Sequence, residues 1–279
     1  MRLTLLDPVD LRGLPSIADG RTRWTPPDFL PTDGAGVLFL DELNAAPLAV
    51  QVASYQLVLD RRLGEYTLPS GWAIVAAGNR ETDRAGAGHM PTALANRLTH
   101  LEFEPDLDDW CQWALANGVR PEIVAFLRFR PELLNTFDPK ARSRVFATPR
   151  GWHRLSEILD ACPGADIEHE LAIGTVGEGP ATELAGFLRI FRTLPSPDAI
   201  LFDPHGAAVP EDPATLYAIA GALSRKASDA NFDRVVTYTN RLPSEYSVVT
   251  IRDALGRNPS LQQTRPFIEW AAKNSDVLI

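Results

Sequence analysis

"GVLFLDELNAAP", residues 36–47, decides how this chain is read. Four apolar residues, Val37 to Leu40, run straight into Asp41 and Glu42. A short continuous apolar run is the pattern of a strand covered on both faces. Acids at its end lie at the carboxyl edge of a parallel sheet, where ligands bind in open α/β folds. There the first acid suits Mg²⁺ held through water, and the second suits the orientation of an attacking water. Two solvent-facing acids capping the next helix would give the same letters. Pro47 fits the first turn of that helix. Leu48, Val52, Tyr55 and Leu59 recur at helical spacing as far as Arg61, and Gly64 ends the helix.

Outward from this stretch, the first hundred residues alternate strand and helix. Residues 1–6, "MRLTLL", read as a strand, followed by the turn-rich "DPVDLRGLP". Residues 16–33 are rich in Pro, Gly and Asp, with Trp24 and Phe29 as isolated anchors, and read as a long ordered loop. "EYTLPSGWAIVAAGN" reads as a hairpin, with strands at 65–68 and 72–77 about a turn at 69–71. "PTALANRLTH" is a short helix feeding a strand at 99–103. The alternation predicts a mostly parallel sheet. After Pro105 the patterns are amphipathic helices: "LDDWCQWALANG", "PEIVAFLRF", "PRGWHRLSEILDA" and "ATELAGFLRIFRTL". Residues 195–213 look like a connector, and the tail from Pro213 is helical in pieces broken by Pro243 and Pro259.

Composition narrows the function classes. The net charge of −9 argues against a broad nucleic-acid or anionic-membrane surface, because polyanions bind clustered Lys and Arg. The small basic clusters "FLRFRPELL" and "KARSRVF" read as ion-paired faces in so acidic a chain. Cys111 and Cys162 are far apart and in no CxxC pattern, which suits a reducing compartment. The N-terminus is not a signal peptide and no apolar run is long enough to span a bilayer. The expectation is a soluble cytoplasmic protein. His89, His100, His153, His169 and His205 show no paired metal spacing. "GTVGEGP", residues 174–180, is glycine-rich but lacks Lys and reads as a hinge or loop.

Three further residues join the two acids as site candidates. Asn79, at the end of "AIVAAGN", is a polar amide that can reach the same sheet edge, or simply cap a turn. Arg97 in "ALANRL" sits at a helix-to-strand corner, where an arginine serves as a finger for a neighbouring subunit's nucleotide or as a surface ion pair. Arg150 in "TPRGW" falls in the first turn of a helix begun by Pro149. There it faces a bound phosphate or pairs with an acid such as Glu157.

In order and spacing these elements resemble the MoxR-type AAA+ ATPases, with cover ending near residue 195. "VLFLDELNAAP" is similar to their Walker B motif, "AAGN" to sensor 1, "LANRL" to the arginine-finger corner and "TPRGW" to sensor 2. The resemblance implies that Asp41 coordinates Mg²⁺, Glu42 polarises the attacking water and Asn79 is sensor 1. It implies that Arg97 is the trans finger and Arg150 the cis sensor for ATP. Residues 11–33 stand where the family carries an insertion, and "LGEYTLPSGW" where it carries a hairpin. The implied fold is α/β, an incomplete P-loop NTPase (AAA+) parallel sheet at 1–104. An all-helical lid at 105–195 and a helical C-terminal extension at 196–279 follow. The implied assembly is a homo-oligomeric ring that remodels a partner protein, often one with a von Willebrand factor A domain.

One departure is large. The phosphate loop G-x-x-x-x-G-K-[ST] uses backbone amides and its Lys to hold the phosphates. No "GK" occurs in the chain, and Lys140, Lys226 and Lys273 all lie in the helical half. The segment "MRLTLL" to "DPVDLRGLP" matches the family after the P-loop helix. The chain is therefore expected to begin one strand and one helix late, to lack the central strand of the family's 5-1-4-3-2 sheet, and to hydrolyse no ATP alone. A non-hydrolysing interaction or assembly protein derived from the same fold is the alternative. ATP and Mg²⁺ belong to the full-length context.

Overall fold

The computed structural model describes residues 1–80, 83, 88, 90–141, 143–161, 164–194 and 196–274. His89, Arg142, Cys162 and Pro195 lie outside the described residues. The chain divides into two units, Met1–Glu102 with Asp138–Arg142, and Phe103–Phe137 with Ser143–Ile279. The class is α/β, with a small parallel sheet and many helices.

The first unit opens with a 3-10 turn at Leu3–Leu5 and helix α1 (Pro8–Arg12). The hairpin β1 (Leu14–Ala18) and β2 (Arg21–Thr25) follows, then β3 (Ala35–Leu40) and α2 (Leu48–Asp60). Next come β4 (Arg62–Leu63), β5 (Tyr66–Thr67), β6 (Gly71–Ala76) and α3 (Thr92–Ala95). The strand expected at 1–6 shrinks to a single parallel bridge, Arg2 beside Asp41. Asp7 and Pro8 account for this. Asp7 closes a capping box with Asp10, and Pro8 takes the first helical position, so the chain must turn before residue 7. The expected loop at 16–33 holds a hairpin. Asp19 and Gly20, both at positive φ, form a two-residue turn of the type that matches strand twist.

β3 and β6 are parallel, with Leu40 opposite Ala76. β4 and β5 are antiparallel partners, so the hairpin expected between 65–68 and 72–77 is replaced by an earlier one about Gly64–Glu65. Among the described residues the sheet is covered on one face. Leu38 and Leu40 are buried with Val50, Ala53 and Leu57 of α2, whereas Val37, Phe39 and Val75 on the other face are exposed. Both faces of β3 were expected to be covered. α2 is apolar nearly all round, which is why Leu48 and Val52, though at helical spacing, point outward.

No strand forms at 99–103, and Leu101 and Phe103 are almost fully exposed. A strand is not stable alone; it needs a neighbour's backbone groups. Among the described residues no strand pairs with β6 on the side away from β3.

The second unit is helical throughout its regular structure: α4 (Leu107–Ala116), α5 (Pro121–Phe129), α6 (Pro149–Asp160), α7 (Ala165–Val176), α8 (Glu178–Thr193), α9 (Pro197–Phe202), α10 (Pro213–Lys226), α11 (Phe232–Thr239), α12 (Ser244–Arg257) and α13 (Arg265–Lys273). Their starts follow from the sequence. The side chains of Asp106, Thr148 and Asp212 accept from backbone N–H groups of the first turn, and Pro occupies that turn in α5, α6 and α10. Gly177, at φ 92, is the one-residue link between α7 and α8 within the glycine-rich stretch.

Two apolar cores meet at α10. Its small residues Ala214 and Ala218 join the core of Phe126, Trp152 and Phe187. Its larger Leu216, Ile219 and Leu223 join the core of Phe232, Tyr238 and Trp270. The stretches expected as a lid and an extension therefore lie within one compact unit. The connector at 195–213 contains α9, with Ile200 and Leu201 buried. Across the unit, Arg128 of α5 and Asp253 of α12 form a buried, hydrogen-bonded ion pair.

Candidate functional site

The parallel register of β3 and β6 decides what shares an edge. Because Leu40 lies opposite Ala76, Asp41–Glu42 and Gly78–Asn79 leave the sheet at the same carboxyl end. Backbone bonds tie the two exits together. Ala77 N–H donates to Leu40 O at 3.0 Å, and Leu43 N–H donates to Ala77 O at 2.9 Å. Glu42 adopts φ 58, the left-handed region that residues with a side chain enter at a cost. Its carbonyl accepts from both Ala45 and Ala46 at 3.1 Å, which holds the turn.

Asn44 is the clasp. It is nearly fully buried, and its Nδ2 donates to Asn79 O at 2.6 Å. Gly88 N–H donates to Asn44 O at 2.8 Å. A Cβ on Gly78 would stand 2.2 Å from Asn44 Oδ1, so only glycine allows this approach. Asn44 Oδ1 itself is buried without a hydrogen-bond partner.

The two acids are partly exposed and already engaged. Arg2 Nε lies 3.5 Å from Asp41 Oδ2 and 3.8 Å from Glu42 Oε2. Thr4 Oγ1 donates to Glu42 Oε2. Sequence reasoning missed Arg2, Thr4 and Asn44. For Arg2 and Thr4 there is no local signal, since the contacts span nearly forty residues. Asn44 was signalled, as a lone amide between the acids and an apolar helix.

Asn79 is exposed and joins the site through its backbone carbonyl. Arg97, just past α3, is also exposed; its Nη1 donates to Ala93 O at 2.8 Å and its guanidinium lies 5.5 Å from the Tyr55 ring centre. The structure thus brings Asp41, Glu42 and Asn79 to one edge and holds Arg97 against α2. Arg150 belongs to the second unit, exposed in the first turn of α6. It makes no ion pair among the described residues, and Glu157 lies beside His153 instead.

Chemically, the edge suits part of a Mg-nucleotide site. One or two carboxylates are the usual protein share of a Mg²⁺ shell, and Asp41 with Glu42 supplies that. The triphosphate side is not met, because the chain has no GK phosphate loop. Bare acids repel a polyanion, so these residues do not fit ATP by themselves. Among the described residues no cluster of three or more His, Cys, Asp or Glu is arranged for a metal, and no helix is long and apolar enough to cross a membrane. Comparison of the chain with protein-family models, curated proteins and solved structures finds no match in any of the three.

Proposed function

We propose that this chain is the Walker B and sensor portion of a MoxR-like AAA+ ATPase module, a cytoplasmic ring protein that remodels a partner. The observation that carries the reading is the shared edge. Asp41–Glu42 and Asn79 emerge side by side from parallel β3 and β6, clasped by Asn44. The lateral order also agrees with the resemblance: the Arg2 bridge, β3, then β6, all parallel. The exposed apolar face of Val37, Phe39 and Val75 is what a sheet presents when a further layer is to pack on it. In a completed module Asp41 would hold Mg²⁺, Glu42 and Asn79 would position water, and Arg97 would meet the phosphates of a neighbouring subunit. A partner with a von Willebrand factor A domain fits this reading.

A second reading has its own support. Arg2 and Thr4 occupy both acids, which favours a non-hydrolysing assembly protein. One experiment separates them. The chain is assayed for Mg-dependent ATP turnover and fluorescent-nucleotide binding, alone and fused behind a strand–phosphate-loop–helix segment. The ATPase reading expects no turnover alone, and turnover in the fusion that Glu42→Gln abolishes while nucleotide stays bound. A fusion that binds nucleotide but never turns it over supports the assembly reading.

A further inference from the structure

The helical unit contains a half-open cavity of about 340 Å³ lined mainly by α7 and α8, with Leu159 of α6, which the ATPase reading does not use. Its two ends differ. The Glu168–Arg192 ion pair, at 2.6 Å, fixes the antiparallel register of α7 against α8. Arg189 lies one turn before Arg192 on the same face of α8, and His169 follows Glu168, so these residues crowd one end. Leu184 and Leu188 line the stretch toward the Gly177 link, with Leu159 of α6 beside them.

The polar end is unevenly satisfied. Both oxygens of Glu168 accept from Arg192 Nη2, which neutralises that acid. Arg189 has no ion pair among the described residues. His169 Nδ1 is buried and has no hydrogen-bond partner. Cavities of this size with apolar walls and a few convergent polar groups are typical ligand sites.

We propose that this cavity binds a small amphipathic monocarboxylate. The alkyl or aryl chain lies along Leu159, Leu184 and Leu188. The carboxylate meets the Arg189 guanidinium. A cationic head is disfavoured by Arg189, and Glu168 cannot attract one while Arg192 holds it.

The test is calorimetric titration of the full chain with octanoate, octylamine and acetate. Octanoate binds with one-to-one stoichiometry, and octylamine and acetate bind at least about tenfold more weakly, the scale of one charge-assisted hydrogen bond. Arg189→Glu, an exposed substitution that leaves the fold intact, reverses the preference between octanoate and octylamine. Ala185→Trp fills the cavity and removes binding. The proposal is overturned if octanoate does not bind, if octylamine binds equally well, or if Arg189→Glu leaves the preference unchanged.

Discussion

The buried pair of Arg128 and Asp253 gives the sharpest prediction about the helical unit. Their side chains are 6% and 3% exposed, on α5 and α12, between the two cores. Burial pulls the Arg128 pKa down, but the Asp253 carboxylate more than offsets this and holds it above its ordinary value. Arg257, one turn on from Asp253 along α12, is lowered by burial, and of the charges around it Asp253 supports it most. Asp253 therefore compensates two guanidiniums and Arg128 compensates one carboxylate. Removing one partner of a buried pair costs about 3–5 kcal/mol, because the other charge is left unpaired. Arg128→Met should fall at the lower end of that range. Asp253→Leu should fall at the upper end, since it strands both Arg128 and Arg257. For a unit of this size each kcal/mol moves Tm by about 2–4 °C, so the falls should span roughly 6–20 °C. The double substitution Arg128→Met with Asp253→Leu removes the stranded Arg128 charge but leaves Arg257 without Asp253, so it should recover only part of the Asp253→Leu loss and end roughly 1–3 kcal/mol below wild type. Urea unfolding followed by both tryptophan fluorescence and circular dichroism measures all four corners of the cycle. Additive losses in the double variant, with no recovery, would refute the reasoning.

Three further outcomes are expected. Gly78→Ala places a methyl against Asn44 Oδ1 and should break the Asn44–Asn79 bond, costing about 1–3 kcal/mol and raising amide exchange at residues 77–79; unchanged exchange there would remove the clasp. In the phosphate-loop fusion, Arg97→Ala should lower turnover by about 10³-fold with little loss of nucleotide binding, and equal rates would remove the finger role. Burial pushes the Cys111 thiol up to about 11, so the fold favours the neutral form. That stability is full below the ordinary thiol pKa of 9.0 and is lost as pH rises to about 11. Cys111→Ala should lack up to roughly 3 kcal/mol of this decline, read as stability against pH in a Cys162→Ser background.

What was legible in the sequence was local, and what was not depended on contacts across the chain. The acid-tipped strand and its helix were readable because an apolar run, two acids and a proline stand within twelve residues. The helices beyond Pro105 were readable because caps and prolines mark their starts, as at Asp106, Thr148 and Asp212. The hairpin at 14–25 carried its own signal, Asp19–Gly20, but that signal was submerged in a Pro- and Gly-rich composition. The strand expected at 99–103 failed for a different reason. "THLEF" has the right alternation, yet a strand is completed by a neighbour, and the pattern says nothing about whether one is within reach. The same limit hid Arg2: no spacing rule links a guanidinium at the start of the chain to carboxylates nearly forty residues later. It also hid the double role of α10, whose small and large residues face opposite cores and whose pattern alone names neither. The site follows the same division. Its acids are a property of one strand, whereas the edge that makes them useful exists only because β6 lies parallel to β3 in the register that sets Ala76 beside Leu40. A shift of one residue in that register would turn the side chains of β6 to the opposite face and carry Asn79 away from Asn44. Gly78, which admits Asn44 at a distance no Cβ allows, fits only the register observed.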